Sequence, residues 1–262
     1  MPGAIITLTT DFGNGSPYIA AMKGAIFSVN PEATIIDLTH SVPPQNVRQG
    51  AISLVTSVPD FPEGTIHVVV VDPGVGTDRF LLCVTIGGCY YLAPDNGVLD
   101  GLARRINPDK IIALTESGYW FDKVSDTFHG RDILAPVAAH LSLGVRAELL
   151  GDSLSTMKQL SWPQVHVMPG KIEGVIESVD SFGNLVSNIE DEMLGDVPRD
   201  DSVRIVCDEH ETQGIYRTYG DHPALTLIAL VGSGRKLELA IVDDSAALML
   251  GVGTGAKLSV LW

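Results

Sequence analysis

The chain has 262 residues, of which 45% are hydrophobic, so it can form one large domain or two of ordinary size. Its formal net charge of −15 argues against nucleic acid and anionic membranes as partners, because an acidic surface repels phosphate. Three widely spaced cysteines give neither a disulfide framework nor a zinc pattern, and no apolar run approaches the ~18 residues of a membrane helix. We therefore expect a cytoplasmic protein with reduced thiols and no bound metal.

Residues 1–143 alternate short β-rich runs with amphipathic stretches. Predicted strands lie at 4–9, 34–38, 65–71, 80–86, 90–93 and 110–114, and predicted helices at 18–29, 46–58 and 133–143. Pro136 would lie in the first turns of the last helix, where proline is tolerated. This alternation is typical of helices packed on both faces of a sheet. We predict an α/β domain over 1–163 with a mostly parallel central sheet.

The pattern changes after Pro163, where helical periodicity is lost. Short strands separated by turns are predicted at 171–179, 184–189, 203–207, 214–219, 225–231, 237–242 and 257–261. Strands at such spacing favour a small barrel or sandwich. We predict an all-β, barrel-like domain over 168–262.

Two segments of the first domain carry residues suited to taking a proton from water. The first is 127–132, in which His129 precedes Gly130; an imidazole titrates near neutrality and can act as a base. The second follows a β-branched run and contains Asp72 and Arg79, which can orient a base and hold an anion. On their own, these patterns are equally typical of a helix cap and of a salt bridge within a loop.

A third polar segment follows the first predicted strand and contains Asp11. Ligands of open α/β sheets bind beyond the carboxyl ends of strands, where an Asp often accepts hydrogen bonds from sugar hydroxyls. Asp11 is an equally good candidate for a helix cap. We also predict Tyr18, at the start of the next helix, as a substrate contact. Asn96-Gly97 indicates a turn.

The second domain offers binding groups rather than catalysts. Asp180 can bind an ammonium group, Phe182 can stack on a flat base, and Asn184 can form hydrogen bonds with that base. Ser233, between two glycines, can donate to a carboxylate. Taken alone, the segment with Asp180, Phe182 and Asn184 is also typical of a turn with a core Phe. The segment around Ser233 is also typical of a hairpin.

Six runs in order resemble the S-adenosyl-L-methionine (SAM) hydroxide adenosyltransferases, the adenosine-forming SAM hydrolases related to SAM-dependent fluorinases and chlorinases. They are TLTTDFG at 7–13, MKG at 22–24, VVDPGVGTDR at 70–79, APDNGVL at 93–99, TFHGRDILAP at 127–136 and SVDSFGNLVSNI at 178–189. The resemblance covers nearly the whole chain and includes the expected change of domain.

The resemblance implies conversion of SAM and water to adenosine and L-methionine, with SAM as substrate and no cofactor. It implies that the catalytic set is Asp72, Arg79 and His129. It also implies that Asp11 binds the ribose and that Asp180, Phe182, Asn184 and Ser233 bind the rest of SAM. A homotrimer, with each site between one subunit's first domain and its neighbour's second, is implied as well.

Several alternatives stay open at this point. Either His129 or Asp72 is the base. His129 followed by Gly130 favours water over halide, but a halogenase is the alternative enzyme, and a non-catalytic SAM or adenosine sensor is the alternative of another class. Where relatives often carry Arg-Gly-Asn, this chain has Asp243 and Asp244 followed by Ser245 and Ala246, which leaves the contacts of that loop undefined.

Overall fold

The computed structural model describes residues 4–262, which form two compact units. The first ends at Leu160 and the second is Ser161–Trp262, so the division falls just before residue 163, the predicted end of the first domain. Within residues 4–262, no helix is long and apolar enough to cross a membrane.

The first unit contains a seven-stranded sheet and four α-helices. The strands are β1 (Ile5–Thr10), β2 (Thr34–Thr39), β3 (Ile66–Val70), β4 (Leu81–Ile86), β5 (Cys89–Pro94), β6 (Lys110–Leu114) and β7 (Gly151–Ser153). The helices are α1 (Pro17–Val29), α2 (Val47–Ser57), α3 (Asp100–Ala103) and α4 (Ala135–Ser142), and a π-helix, Gly130–Leu134, leads into α4.

The sheet is mixed, so the prediction of a mostly parallel sheet was wrong. The strand order is β2-β1-β3-β5-β4-β6-β7. Pairings among β2, β1, β3 and β5 are parallel, whereas β4 is antiparallel to both β5 and β6, and β7 is antiparallel to β6. The tight turn at Gly87-Gly88 folds β5 back on β4, because both glycines adopt the positive φ that other residues avoid.

Helices cover both faces of this sheet, as the alternation predicts. All five residues of β3 are buried, which requires a cover on each face. One face packs with α1 and α4 through side chains such as Met22, Ile26 and Val137. The other face packs with α2 and α3 through Leu54 and Leu102. The sheet is therefore the middle of three layers.

The π-helix before α4 follows from Pro136. Proline has no N–H, so it cannot bond the carbonyl of Asp132 four residues earlier. That carbonyl instead accepts from the backbone N–H of Phe121 at 2.9 Å, while Ala135 donates to Gly130 in the wider π pattern. The helical segment begins at His129, four residues before the predicted start at residue 133.

The second unit is an eight-stranded antiparallel sheet that is curled into a nearly closed barrel. Its strands are β8 (His166–Met168), β9 (Lys171–Val179), β10 (Leu185–Glu190), β11 (Arg204–Cys207), β12 (His210–Gln213), β13 (Leu227–Val231), β14 (Lys236–Ile241) and β15 (Lys257–Leu261), and a short helix α5 is Ala246–Leu250. The order is β12-β11-β15-β9-β10-β14-β13, with β8 beside β9. Thr212 on β12 donates to the Leu227 carbonyl at the start of β13 at 2.8 Å, which ties the two end strands together.

The barrel-like prediction is confirmed, but one strand was misplaced. The predicted strand 214–219 is a loop with a single bridge from Tyr216 to Leu230, and the real strand, β12, lies just before it. Residues 210–213 are His-Glu-Thr-Gln, which carry none of the alternating apolar side chains that predict strands. Strands β7 and β8 and helix α5 also had no clear pattern, because each has at most five residues.

Candidate active site

The structure brings Asp72, Arg79 and His129 together. Arg79 Nε lies 2.7 Å from Asp72 Oδ1 and 2.9 Å from Oδ2, and Arg79 Nη2 also donates to Oδ2. The same Nη2 lies 3.1 Å from His129 Nδ1. The Arg79 and Asp72 side chains are 4% and 7% exposed, so the ion pair is buried. Two loops that are fifty residues apart thus meet at one guanidinium.

Glycines allow these loops to approach. Gly76 has φ +79°, and a Cβ placed on it would lie 2.5 Å from the carbonyl oxygen of Asp126, three residues before His129. Gly130 lies under the end of β3, where a Cβ would be 3.1 Å from both methyl groups of Val70. The loop 72–79 and the segment around His129 therefore touch through backbone that tolerates no side chain at Gly76.

Hydrogen bonds hold both loops in place. Asn96 Nδ2 donates to the Val71 carbonyl at 2.8 Å, which fixes the chain just before Asp72. Asp132, 1% exposed, accepts from the Ser125 backbone at 2.9 Å and from Arg131 at 2.5 and 3.0 Å. The sequence suggests only a turn at Asn96, so this support for the site was not predicted.

The protonation state of His129 follows from its neighbour. A guanidinium has donors only, so Nδ1 must accept from Arg79, and the neutral ring then carries its proton on Nε2. Burial and the charge of Arg79 lower the pKa of His129 below its ordinary value of 6.5, although Asp72, Asp132 and Asp126 oppose the shift. His129 is thus neutral at physiological pH, as a base must be.

Asp72 and His129 line a cavity of about 260 Å³ that is also lined by Asp11, and Arg79 lies behind them. Asp11 Oδ2 accepts from the Gln45 backbone at 2.7 Å, so the carboxylate is oriented by the loop before α2. Asp11 does not cap α1, because Ser16 does. Tyr18 is 56% exposed and packs edge-on against Phe12 and Phe128, which both line this cavity. Of the alternatives for Asp11, the structure disfavours the helix cap.

The residues predicted in the second unit line a separate cavity of about 660 Å³. Asp180 Oδ1 accepts from the backbones of Phe182 and Asn184 at 2.9 and 2.8 Å, and its Oδ2 accepts from Asn184 Nδ2 at 3.0 Å. The carboxylate therefore organises its own turn. Phe182 is 80% exposed, so it is not the core residue of a turn.

The loop that contains Asp243, Asp244 and Ser245 packs against the turn that Asp180 organises. A Cβ on Gly183 would lie 2.0 Å from Ser245 Oγ, and the Gly183 carbonyl accepts from Ala247 at 2.9 Å. Asp243 and Asp244 line the cavity together with Ser233. The departure from the Arg-Gly-Asn pattern thus places two carboxylates at the cavity wall.

Glu238 is a cavity residue that the sequence analysis did not identify. It lies on β14, is 8% exposed and faces the same cavity. Burial and the nearby Asp180 raise the pKa of Glu238. A charged residue in the otherwise apolar run from Leu237 to Ile241 was the available signal.

Other nucleophiles and ligand clusters do not compete with this site. The thiols of Cys83, Cys89 and Cys207 are free and buried, and burial raises the pKa of Cys83 to about 12. In the described part of the chain, no three His, Cys, Asp or Glu side chains are arranged to hold a metal ion.

Comparisons with known proteins indicate one family. Residues 6–151 match the family model described as the SAM hydroxide adenosyltransferase N-terminal domain, and residues 174–259 match the C-terminal domain of the same family. A protein of Salinispora arenicola named (R)-S-adenosyl-L-methionine hydrolase is 36% identical over 97% of each chain. A fluorinase of Actinopolyspora mzabensis is 28% identical over 72% of this chain and 73% of its own. The crystal structure of an uncharacterized conserved protein from Thermotoga maritima superposes with a TM-score of 0.93 at 35% identity, covering 98% of this chain and all of the other.

We predict that Gly76→Ala destabilises the protein more than Gly64→Ala, as measured by urea unfolding. Both glycines have positive φ, which costs a non-glycine residue about 1–2 kcal/mol, but space around Gly64 is open. At Gly76 the added methyl also meets the Asp126 carbonyl, which adds about 1–3 kcal/mol. Equal losses for the two variants would show that the loops do not meet as described.

Proposed function

Since this chain belongs to the SAM hydroxide adenosyltransferase family, we propose that it is an enzyme that hydrolyses SAM to adenosine and L-methionine. The observation that carries the proposal is the contact of Arg79 with Asp72 and His129, because these two partners line a cavity together with Asp11. A base, a carboxylate and a fixed cation are the groups that water needs to become a nucleophile.

The chemistry of SAM explains why all three groups serve the nucleophile. Its sulfonium leaves as a neutral thioether, so the departing side needs no general acid, metal or cofactor. Activating the nucleophile is the difficult part of the reaction, because water is a weak nucleophile and hydroxide is scarce near neutral pH. General-base assistance contributes ~10²–10⁴ in rate. Alignment of water behind the 5′ carbon contributes more when effective molarities reach ~10⁵ M.

We propose that His129 is the base that takes the proton from water. Its Nδ1 is the unprotonated nitrogen of the neutral ring and becomes free to take a proton once Arg79 Nη2 turns towards the nucleophile, whereas Asp72 stays in its two-pronged pair with Arg79. When Nδ1 takes the proton of water, Arg79 Nη2 loses its acceptor and donates instead to the forming hydroxide. The charge of Asp72 stabilises the imidazolium, as its upward effect on the pKa of His129 indicates.

We assign substrate binding to six residues. Asp11 accepts from the ribose hydroxyls and Tyr18 lies beside them. Phe182 stacks on adenine, and Asn184, whose Nδ2 is held by Asp180, offers its Oδ1 to the adenine amino group. Ser233 donates to the methionine carboxylate. We further propose a homotrimer in which one subunit's first unit and a neighbour's second unit complete each site.

We also propose that the enzyme works in the cytoplasm. The three buried cysteines are unpaired, and a reducing compartment preserves thiols in that state.

The decisive experiment is incubation with SAM in halide-free buffer, followed by chromatography of the nucleoside products. We expect adenosine and methionine in equal amounts, with the same yield when EDTA is present and when chloride or fluoride is added. A halogenated nucleoside that forms only with halide would indicate a halogenase. Binding of SAM without turnover would indicate a sensor.

We predict that His129→Ala lowers kcat at least ~100-fold while the Kd for SAM changes less than about threefold. The base acts on water and is not an anchor for the substrate, so its loss affects the chemical step. Single-turnover rates and calorimetry measure the two quantities. His166→Ala, at an exposed position in the second unit, is the control and should change neither. A rate for His129→Ala within twofold of the wild type would refute the assignment.

We predict a single acid limb in kcat/KM with a midpoint below pH 6.5. His129 must be neutral to accept a proton, and burial together with Arg79 lowers its pKa, so the active form persists to lower pH than for a free imidazole. Removing the charge of Asp126, which raises this pKa, should move the midpoint of Asp126→Asn to still lower pH. A midpoint above pH 7 in the wild type would contradict the described environment of His129.

A further inference from the structure

A buried histidine joins two loops beside the cavity of the first unit. His40 follows β2, is 5% exposed and is not among the residues that line this cavity. Its ring Nδ1 lies 2.9 Å from the hydroxyl of Thr10, the last residue of β1. Its backbone carbonyl accepts from the N–H of Gly13 at 2.8 Å. Asp11 and Phe12, which line the cavity, lie between these two contacts, so His40 holds the chain on both sides of them.

An irregular pairing of β1 with β2 precedes His40. Leu8 is paired with Asp37. The next residue, Thr9, is paired with Thr39, so β2 carries one extra residue at this point. Bulges are rare in parallel pairs and frequent next to active sites, where they redirect a side chain. The backbone therefore departs from regular sheet geometry just before His40 meets the neighbouring strand end.

The charged neighbours of His40 fix the orientation of its ring. Nε2 lies 3.1 Å from Asp37 Oδ1, although at an angle outside that of a regular hydrogen bond. Asp37 Oδ2 accepts at 2.6 Å from Lys23, which belongs to the MKG run at 22–24. Burial opposes ionisation of Asp37, but its contacts with Lys23 and His40 prevail and lower its pKa. The ionised carboxylate requires a hydrogen on Nε2, so Nδ1 of the neutral ring accepts from the Thr10 hydroxyl.

The loop after His40 makes further contacts with the same segment. Gln45 has φ +62°, and its N–H donates to Asp11 Oδ2 at 2.7 Å. Asn14 donates to Ser41 at 2.9 Å. The carboxylate of Asp11 is thus oriented by the loop that His40 begins, and the ring of His40 forms the buried part of the contact between the two loops.

A hydroxyl, an imidazole and a carboxylate in series also form the nucleophilic triads of hydrolases. Thr10 is fully buried, however, so its hydroxyl cannot reach a substrate, and its oxygen already accepts from the Phe12 N–H at 3.3 Å. The series therefore holds backbone in place. On the basis of the proposed function, in which Asp11 binds the ribose of SAM, we propose that His40 is a positioning residue that, through Thr10, keeps Asp11 in its binding geometry.

The test measures calorimetric Kd values for adenosine, together with turnover of SAM, in the full-length protein. His40→Leu keeps an apolar side chain at the position but removes the contact with Thr10. We expect adenosine binding to weaken roughly 10-fold, because the hydrogen bonds of Asp11 to the ribose lose their alignment. KM for SAM should rise by a similar factor, whereas the single-turnover rate at saturating SAM should change less than about threefold, since His129 lies on another loop. His40→Asn, whose amide oxygen replaces Nδ1 as the acceptor, should restore binding to within about threefold of wild type.

Two comparisons separate positioning from a general loss of stability. The matched control is His67→Leu, because His67 is also fully buried and its Nδ1 lies 2.8 Å from the hydroxyl of Thr7 on the same strand β1. It should lower the urea midpoint as His40→Leu does, but leave the Kd for adenosine unchanged. The second comparison adds His40→Leu to Asp11→Ala. Binding should then weaken by less than about a further twofold, because the effect of His40 passes through Asp11.

The proposal is overturned by equal losses with and without Asp11, by unchanged binding in His40→Leu, by a similar loss in His67→Leu, or by a His40→Asn that binds no better than His40→Leu. If wild type binds adenosine but does not hydrolyse SAM, the proposed function fails and the Kd values still decide the role of His40. If adenosine binds too weakly to measure, KM for SAM gives the same comparison. If wild type neither binds adenosine nor turns over SAM, both fail.

A second variant covers the case in which His40→Leu does not fold by circular dichroism. Thr10→Val removes the hydroxyl from the same contact and leaves His40 in place. It is expected to weaken adenosine binding about three- to tenfold, because one buried hydrogen bond is lost. An unchanged Kd for Thr10→Val would overturn the proposal.

Discussion

The buried ion pair of Asp72 and Arg79 is the interaction on which the candidate site depends. Two charges taken out of water are tolerated only when they satisfy each other, and removing one partner typically costs ~3–5 kcal/mol. The pair closes the loop 72–79 on itself and leaves Nη2 of Arg79 directed at His129. The same contact thus stabilises the loop and defines the chemical environment of the imidazole, so stability and reactivity cannot be varied separately at this position.

The topology of the sheet explains why the other cavity residues lie nearby. Strands β1 and β3 are parallel neighbours, and Thr10 is paired with Val70. Asp11 and Asp72 therefore follow adjacent strand ends on the same edge, where ligands of α/β sheets bind. His129 lies at the start of the π-helix, and Gly130 after it allows close packing against Val70 at the end of β3. A glycine without a side chain at position 130 therefore helps to bring His129 to this edge of the sheet.

The sequence allowed the helices α1, α2 and α4, most strands and the convergent loops to be predicted, because burial periodicity and family-like motifs are local. Which strands lie next to each other in a sheet depends on contacts between residues that are far apart in the sequence. The run 81–86 predicts a strand, but nothing in it specifies that β4 lies between β5 and β6 and runs against both. For the same reason Glu238 was missed. Its charge is visible in the sequence, whereas its burial beside Asp180 depends on the pairing of β14 with β10 and β13.

The cavity of the second unit is acidic, which suits a cationic substrate. SAM carries a sulfonium and an ammonium, and the cavity of the second unit presents the carboxylates of Asp180, Glu238, Asp243 and Asp244. A protonated His129 would repel the sulfonium and have no lone pair to offer. Burial and the charge of Arg79 oppose this protonation by lowering the pKa of His129. A lower pKa weakens the base, but the loss is offset because the neutral form predominates and the guanidinium stands ready for the hydroxide. In the proposed mechanism, Arg79 helps to keep His129 neutral and stabilises the hydroxide, so a lysine, with one point charge and no fork, is a poor substitute.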